Sequence, residues 1–258
     1  MTIFEIPIIT YHKISPQKEF GLTTISPEVF SKQIDFLYQS GYQAITFEEY
    51  SKNPDNCPQK PIIISFDDTY QCVNEYAFPI MKERNFKGVL FVLADYIGKY
   101  NTWEAFPVQR KFKHADNEEI IEMAEYGFEI ASHGLTHSCL PYLSSENISN
   151  EVNESKSKLE KLFRKKLITF CYPYGKYSKK VISRLQKSDY KFATSNINFD
   201  TLSNYTIKRR SIYSSDSFFD FSDKIMNHNK LDKNYFKEWI IQTGAYAGIL
   251  KNKFSHHN

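Results

Sequence analysis

The 258-residue chain is predicted to be an α/β protein built on a parallel barrel. Short apolar runs alternate with helical segments along most of its length, which is typical of parallel α/β folds. About seven such strand–helix units favour a barrel over a doubly wound sheet. The glycine-rich GxGxxG and GxxxxGK[ST] patterns of nucleotide-binding folds do not occur in the sequence.

The stretch PIIISFDDTY, residues 61–70, is the strand around which the rest is arranged. Its apolar run follows Pro61 and ends at two adjacent carboxylates, Asp67 and Asp68. Such a run predicts a strand buried on both faces, and catalytic groups of parallel barrels lie at the carboxyl ends of strands. Two adjacent Asp residues also fit a turn or a helix cap, so other residues must decide between these interpretations.

The other elements follow from the same kinds of pattern. The helix signal is clearest at residues 26–41, with Ser26 as N-cap, Pro27 as first helical residue and Gly41 beyond the end. Further helices are predicted at 46–50, 72–85, 117–127, 144–164, 178–188, 217–228 and 233–250. Further strands are predicted at 6–11, 42–46, 87–94, the start of 128–137, 168–175, 190–195 and 206–213. We expect a single domain over residues 1–258, with a core at 6–213 and C-terminal helices at 217–250.

Composition argues against several functions. The net charge of +3 is too small to predict binding to nucleic acid or to an anionic membrane. Four cysteines without CxxC spacing favour reduced thiols. The N-terminus lacks a signal-peptide pattern and no apolar stretch approaches about 18 residues, so we expect a cytoplasmic protein without a transmembrane segment.

Two histidines, His133 and His137, stand four residues apart after a predicted strand. Together with Asp68 from a neighbouring strand end they form a set of two imidazoles and one carboxylate, a familiar donor set for a catalytic divalent metal. Asp67 is then left to act as a general base on water. A histidine pair alone is also compatible with a structural role, so the metal prediction depends on the third ligand.

Three motifs together resemble the polysaccharide deacetylase family, also called the NodB-homology domain. They are SFDD at 65–68, SHGLTH at 132–137 and FCYPYG at 170–175, in the order and with the separations of that family. The resemblance implies a distorted (β/α)7 barrel, one bound divalent metal, commonly Zn²⁺, and removal of acetyl groups from N-acetylated sugars.

The resemblance also implies roles for individual residues. Asp67 is the base, and the metal ligands are Asp68, His133 and His137. The backbone N–H of Tyr174 is an oxyanion donor.

The chain departs from the family pattern around the base. Thr69 stands where members usually have Gly after the two Asp residues. Cys171 stands where many members have an Arg that pairs with the base. Arg209 or Arg210 resembles a replacement delivered from a later strand, and strand alternation lets only one of them point inward.

The family's late Leu-x-His motif, which carries the general acid, is missing after residue 213. One branch, which includes biofilm poly-N-acetylglucosamine deacetylases, looks circularly permuted and brings the acid His from an N-terminal strand ending in Tyr-His. TYHKIS at 10–15 matches this pattern and implies His12 as the acid. His12 could also be a capping residue, and His228 is the alternative acid.

Two aromatic residues are candidate sugar-binding groups: Trp103 in a long polar loop and Tyr172 in the YPYG turn. The sequence thus predicts a metal-dependent de-N-acetylase acting on an N-acetylated amino sugar in a polysaccharide or glycolipid. The alternatives are an amidohydrolase for a small non-sugar amide and a catalytically silent carbohydrate-binding module.

Overall fold

The computed structural model of the chain describes residues 1–17, 19, 21–102, 111–196 and 203–228. The strands are β1 (Ile8–Tyr11), β2 (Lys13–Ile14), β3 (Thr24–Ile25), β4 (Gln43–Ala44), β5 (Pro61–Phe66), β6 (Val89–Val92), β7 (Glu129–Ser132), β8 (Thr169–Cys171), β9 (Phe192–Ser195), β10 (Ile207–Lys208) and β11 (Arg210–Ser211). The helices are α1 (Pro27–Gln39), α2 (Phe47–Lys52), α3 (Phe78–Lys82), α4 (Asn117–Tyr126), α5 (Ser145–Phe163), α6 (Lys179–Lys187) and α7 (Phe218–Met226).

The parallel strands form a barrel, as predicted. Their order is β10-β9-β8-β7-β6-β5-β1-β11. The consecutive pieces β10 and β11 pair with β9 and with β1 respectively, so the stretch 207–211 closes the sheet on itself. Counting this stretch once leaves seven strand positions around the barrel. The short β4 pairs with the amino half of β5 outside this ring order.

Side chains of the barrel strands alternate between the lumen and the surrounding helices, as the two-residue period of a strand requires. On β5, Ile62 and Ile64 belong to the apolar layer shared with the helices, whereas Ile63 packs in the lumen. The same alternation directs Ser65 and Asp67 into the lumen.

The alternation also applies to the other strands that carry candidate residues. Each candidate lies two or four positions beyond a residue of the lumen cluster: His12 after Ile8, His133 after Ala131, and Arg209 after Ile207. Residues from four separate strands therefore meet at the carboxyl end of one lumen.

One predicted helix, 72–85, is divided into a π-helical turn at Val73–Ala77 and helix α3. Pro79 has no N–H and cannot continue the regular ladder. The Phe78 N–H instead donates to the carbonyl of Val73, five residues back.

The predicted helix at 217–228 is present as α7, with Ser217 as its N-cap. The predicted helix at 233–250 lies outside the described residues. No helix in the described part of the chain combines the length and apolar character needed to cross a membrane.

Candidate active site

A buried ion pair lies beneath the mouth of the barrel. Arg209 Nη1 donates to Asp67 Oδ1 at 2.6 Å, and Nη2 donates to Oδ2 at 2.8 Å. Both residues are at least 95% buried. Burial raises the pKa of Asp67, but the Arg209 guanidinium outweighs it and holds the pKa well below the usual range. The Asp67 carboxylate is therefore ionised at neutral pH.

The guanidinium of Arg209 is fixed by the lumen around it. Nη1 also donates to Thr10 Oγ1 and to Ser65 Oγ, both at 3.2 Å. Nη2 lies 3.0 Å from Cys171 Sγ, and Cζ lies 5.0 Å from the centre of the Phe91 ring. The Arg209 guanidinium thus lies beside Cys171 and pairs with Asp67. The family resemblance implies this pairing for an arginine at position 171.

Arg210 points to the other side of the strand. Its Nη2 donates to the carbonyl of His228 at 3.1 Å, near the amino ends of the barrel strands. Of the two arginines, the structure brings only Arg209 to Asp67.

A second carboxylate, Asp68, faces the two histidines. Its Oδ1 lies 3.6 Å from His133 Nε2 and 3.6 Å from His137 Nε2, and all three side chains are buried. Among the described residues no hydrogen-bond donor reaches Asp68 Oδ1. Burying a carboxylate oxygen without a donor is costly, so this position suits a cation.

The donor set fits a divalent metal. One ligand atom from each of Asp68, His133 and His137 lies within 4.8 Å of the other two. Ligands of a tetrahedral Zn²⁺ with bonds of about 2.0–2.1 Å stand about 3.3 Å apart. The 3.6 Å separations are close to this spacing. Two imidazoles and a carboxylate are the donor types that Zn²⁺ accepts in catalytic sites.

The electrostatic surroundings of the two imidazoles favour a cation, and a metal bound there would displace the proton of His133. Burial lowers the pKa of His137 to about 3, so its ring is neutral at neutral pH. Burial also opposes the charged form of His133, but Cys171, Asp67 and Asp68 outweigh it and raise its pKa to about 10. The field that holds a proton on His133 is a negative field, and it favours a metal cation as well.

The backbone at Asp68 and Thr69 is left-handed, with φ of 65° and 49°. Such angles are uncommon for non-glycine residues and unfavourable for a β-branched one. The turn after the two Asp residues is therefore formed by Thr69 at a conformational cost.

The loop that carries the two histidines is organised by a carboxylate on α5. Glu151 accepts hydrogen bonds from the N–H groups of Leu135 at 2.8 Å and Thr136 at 3.2 Å, and from the Thr136 hydroxyl. His133 Nδ1 lies 2.9 Å from the Cys171 carbonyl, which leaves Nε2 to face Asp68.

Tyr174 and His12 complete the rim of the site. Tyr174 has φ of 58°, and its ring centre lies 4.5 Å from that of His137. His12 follows β1 directly. Burial lowers its pKa, while Asp67 and Asp68 act to raise it, so His12 lies within electrostatic reach of both carboxylates.

Two of the candidates, Tyr172 and His228, are not brought to this site. Tyr172 is 1% exposed, its hydroxyl donates to the Tyr205 carbonyl at 2.9 Å, and its ring packs on Phe170, so the predicted sugar contact through this ring does not fit. The ring of His228 bonds to the Ile225 carbonyl on α7 at 3.0 Å, away from the site. Trp103 lies outside the described residues.

Sequence reasoning missed two polar residues that support the site, Glu151 and His114. Glu151 was detectable, because it lies on the same face of α5 as the apolar residues Ile148, Val152 and Leu159. His114 gives no local signal, since it lies in an irregular segment.

The parallel barrel is the NodB-like barrel of the polysaccharide deacetylases. The sequence profile of the family described as Polysaccharide deacetylase matches residues 55–193, more than half of the chain. The chain belongs to this family.

Individual relatives are distant. The chain is 27% identical over 189 residues to YxkH of Bacillus subtilis (strain 168), covering 72% of this chain and 62% of YxkH. It is 26% identical over 189 residues to the poly-beta-1,6-N-acetyl-D-glucosamine N-deacetylase of Staphylococcus aureus (strain MSSA476), covering 70% of this chain and 64% of that enzyme. The chain thus spans less than two thirds of either relative.

Among solved structures, the deacetylase PplD of Streptococcus pyogenes in complex with acetate superposes with a TM-score of 0.72. The match has 22% identity and covers 85% of this chain and 97% of PplD. At this identity the likeness concerns the fold.

Proposed function

We propose that the chain is a divalent-metal-dependent de-N-acetylase that removes acetyl groups from an N-acetylated amino sugar in a polysaccharide. The observation that carries the proposal is that a candidate base and a candidate metal ligand are neighbours at the end of β5. Asp67 is kept ionised by Arg209, and its neighbour Asp68 directs an unpartnered oxygen at two imidazoles. A base beside a metal-ligand set is what hydrolysis of an amide requires.

We propose Zn²⁺ as the cation, held by Asp68, His133 and His137. When bound, it would supply Lewis acidity that polarises the amide carbonyl and makes water more acidic. The remaining work belongs to the protein's own side chains.

Asp67 accepts the proton of the water that attacks the acetyl carbonyl carbon. Arg209 keeps this carboxylate charged and oriented, which makes it a weak base that depends on an acidified water. The backbone N–H of Tyr174 stabilises the negative charge that develops on the carbonyl oxygen. His12 gives a proton to the nitrogen as the C–N bond breaks, so the products are acetate and an amine.

The proposed polymer is poly-β-1,6-N-acetylglucosamine. The support is the name of the Staphylococcus aureus relative and the N-terminal position of His12, which follows the pattern of the permuted branch.

The test is acetate release from this polymer and from chitin oligosaccharides, with metal content measured on the same samples. Asp67→Asn is expected to retain the metal and to lose activity by roughly 10²–10⁴-fold, the scale of a lost general base. Asp68→Asn is expected to lose the metal itself.

Each outcome has a distinct meaning. A protein that binds metal and releases no acetate from any saccharide points to the small-amide alternative. A protein that binds saccharide, binds no metal and releases no acetate points to the silent binding module. Equal metal content and activity in both Asp variants would contradict the assignment of the two carboxylates.

A further inference from the structure

Residues 111–116, which precede α4, are hydrogen-bonded to the left-handed turn after β5. The Ala115 N–H donates to the Thr69 carbonyl at 2.9 Å. The Gln71 N–H donates to the Lys113 carbonyl at 2.9 Å. These bonds tie the turn to a second segment of the chain.

The side chain of His114 adds a bond at the turn itself. Its Nδ1 lies 2.7 Å from the carbonyl oxygen of Asp68. Because a carbonyl oxygen only accepts, Nδ1 carries the hydrogen of this bond. The ring is 2% exposed and stacks on Tyr70, with ring centres 4.6 Å apart and planes at 28°.

The bonded carbonyl belongs to a residue under conformational strain. Asp68 has φ of 65°, and a left-handed conformation costs a non-glycine residue about 1–2 kcal/mol. Thr69 is left-handed as well, with φ of 49°. Rotation of the peptide group between Asp68 and Thr69, which changes ψ of Asp68 and φ of Thr69, would relieve the strain at Thr69. Because the Asp68 Cα is one end of this peptide group, a rearranged turn would also shift the Asp68 carboxylate relative to the imidazoles, which lie 3.6 Å from Oδ1. The hydrogen bond from His114 opposes that rotation.

We propose that His114 is a positioning residue for the cation site, whose Nδ1–H holds the Asp68 carbonyl so that the Asp68 carboxylate stays directed at His133 and His137. The inference rests on the proposed function, because it takes these three side chains to be metal ligands. Residues that orient a ligand from behind typically change metal affinity or activity by about 10–100-fold when they are replaced.

Two substitutions of similar size separate the hydrogen bond from the packing of the ring. In His114→Asn the amide nitrogen can take the position of Nδ1, whereas in His114→Gln it takes the position of Nε2. Both variants lose the ring that stacks on Tyr70. Only the Asn variant keeps the donor to Asp68.

The measurement is the Zn²⁺ dissociation constant, obtained by competition with a chromophoric chelator, together with the visible spectrum of the Co²⁺-loaded protein. His114→Gln is expected to bind Zn²⁺ about 10–100-fold more weakly and to have an altered Co²⁺ spectrum. His114→Asn is expected to keep the wild-type affinity and spectrum. Thermal unfolding of the metal-free proteins checks that both variants are folded, and His114→Leu replaces the Gln variant if that one is not.

The outcomes distinguish this inference from the proposed function. A wild-type protein that binds Zn²⁺ and loses it in Asp68→Asn, but keeps it in His114→Gln, overturns the positioning role alone. Equal weakening in the Asn and Gln variants also overturns it, because the ring and not the donor would then be responsible. A folded wild-type protein that binds no Zn²⁺ overturns both.

Discussion

Two carboxylates face the lumen of the same barrel, one near each end, and their surroundings differ. At the carboxyl end, Asp67 accepts two hydrogen bonds from the Arg209 guanidinium, which lowers its pKa. At the amino end, Glu129 accepts from the Glu48 N–H at 2.9 Å and from the Thr169 hydroxyl at 2.6 Å, and burial raises its pKa to about 7. Neutral donors can satisfy a buried carboxylate, but they do not keep it charged as a buried cation does.

The non-glycine residues with a left-handed backbone also differ in role between the two ends of the barrel. At the amino end they follow helices α3, α5 and α6, where such a residue commonly ends a helix: Asn85, Arg164 and Asp189. At the carboxyl end they belong to the candidate site or adjoin it: Asp68, Thr69, His137 and Tyr174. The conformation terminates helices at one end and aims site residues at the other, where strain is typically retained for function.

The largest expected effect comes from replacing a histidine at each end of the barrel, His12 at the carboxyl end and His228 at the amino end. His12→Ala should retain the metal and lose turnover by about 10²–10⁴-fold, because the leaving amine then lacks its acid. His228→Ala, the matched variant at the amino end, should keep full turnover. Rates of acetate release at saturating Zn²⁺ measure both. Full activity in the first variant and a large loss in the second would refute the N-terminal acid.

The next effect concerns the buried ion pair. Arg209→Met leaves the Asp67 carboxylate buried without its cation, which should lower the free energy of unfolding by about 3–5 kcal/mol. Arg210→Met is the control, since Arg210 is equally buried but bonds to a backbone carbonyl. Urea unfolding at neutral pH measures both. Adding Asp67→Asn to Arg209→Met should recover part of the loss, and no recovery would contradict the electrostatic cause.

A smaller effect is the pH dependence contributed by Glu129. Its pKa is about 7 in the folded protein against 4.5 ordinarily, so the folded state holds the proton more tightly. Stability is therefore lost as pH rises from 4.5 to about 7, by at most about 3 kcal/mol, and the loss is complete above pH 7. Glu129→Gln should remove this slope, so that its stability relative to the wild type is greater at pH 8 than at pH 4.5.

Urea unfolding at both pH values measures the difference, with the exposed Glu154→Gln as control. An unchanged slope in Glu129→Gln would show that this carboxyl titrates alike in the folded and unfolded states.

The smallest effects come from glycine at left-handed positions. Arg164→Gly should change the free energy of unfolding by no more than about 1 kcal/mol, because relief of strain and greater freedom of the unfolded chain oppose each other. Thr69→Gly should have a similarly small effect on stability. Only Thr69→Gly, however, should alter Zn²⁺ affinity, because its turn carries Asp68. Equal Zn²⁺ affinity in both variants would mean that the backbone at residue 69 has no influence on the site.

Much of the fold was predictable because its signals are local. The Ser26 cap and Pro27 mark α1, and the apolar run after Pro61 marks β5, both as predicted. Strand ends were less accurate: the strand predicted at 168–175 is limited to Thr169–Cys171, because the chain turns at Pro173. The strand predicted at 206–213 divides between two partners, and pairing partners leave no mark on a local pattern.

By itself, the sequence determined the family, the parallel barrel and the set of groups at the strand ends, since strand period and motif order are properties of neighbouring residues. Only the tertiary structure decided that Arg209 and not Arg210 faces Asp67, 142 positions earlier in the chain. It also decided that the ring of Tyr172 is buried, and that His114 and Glu151 hydrogen-bond to the turns that carry Asp68 and the two histidines. These contacts join residues far apart in the chain, and their geometry exists only after the sheet has closed.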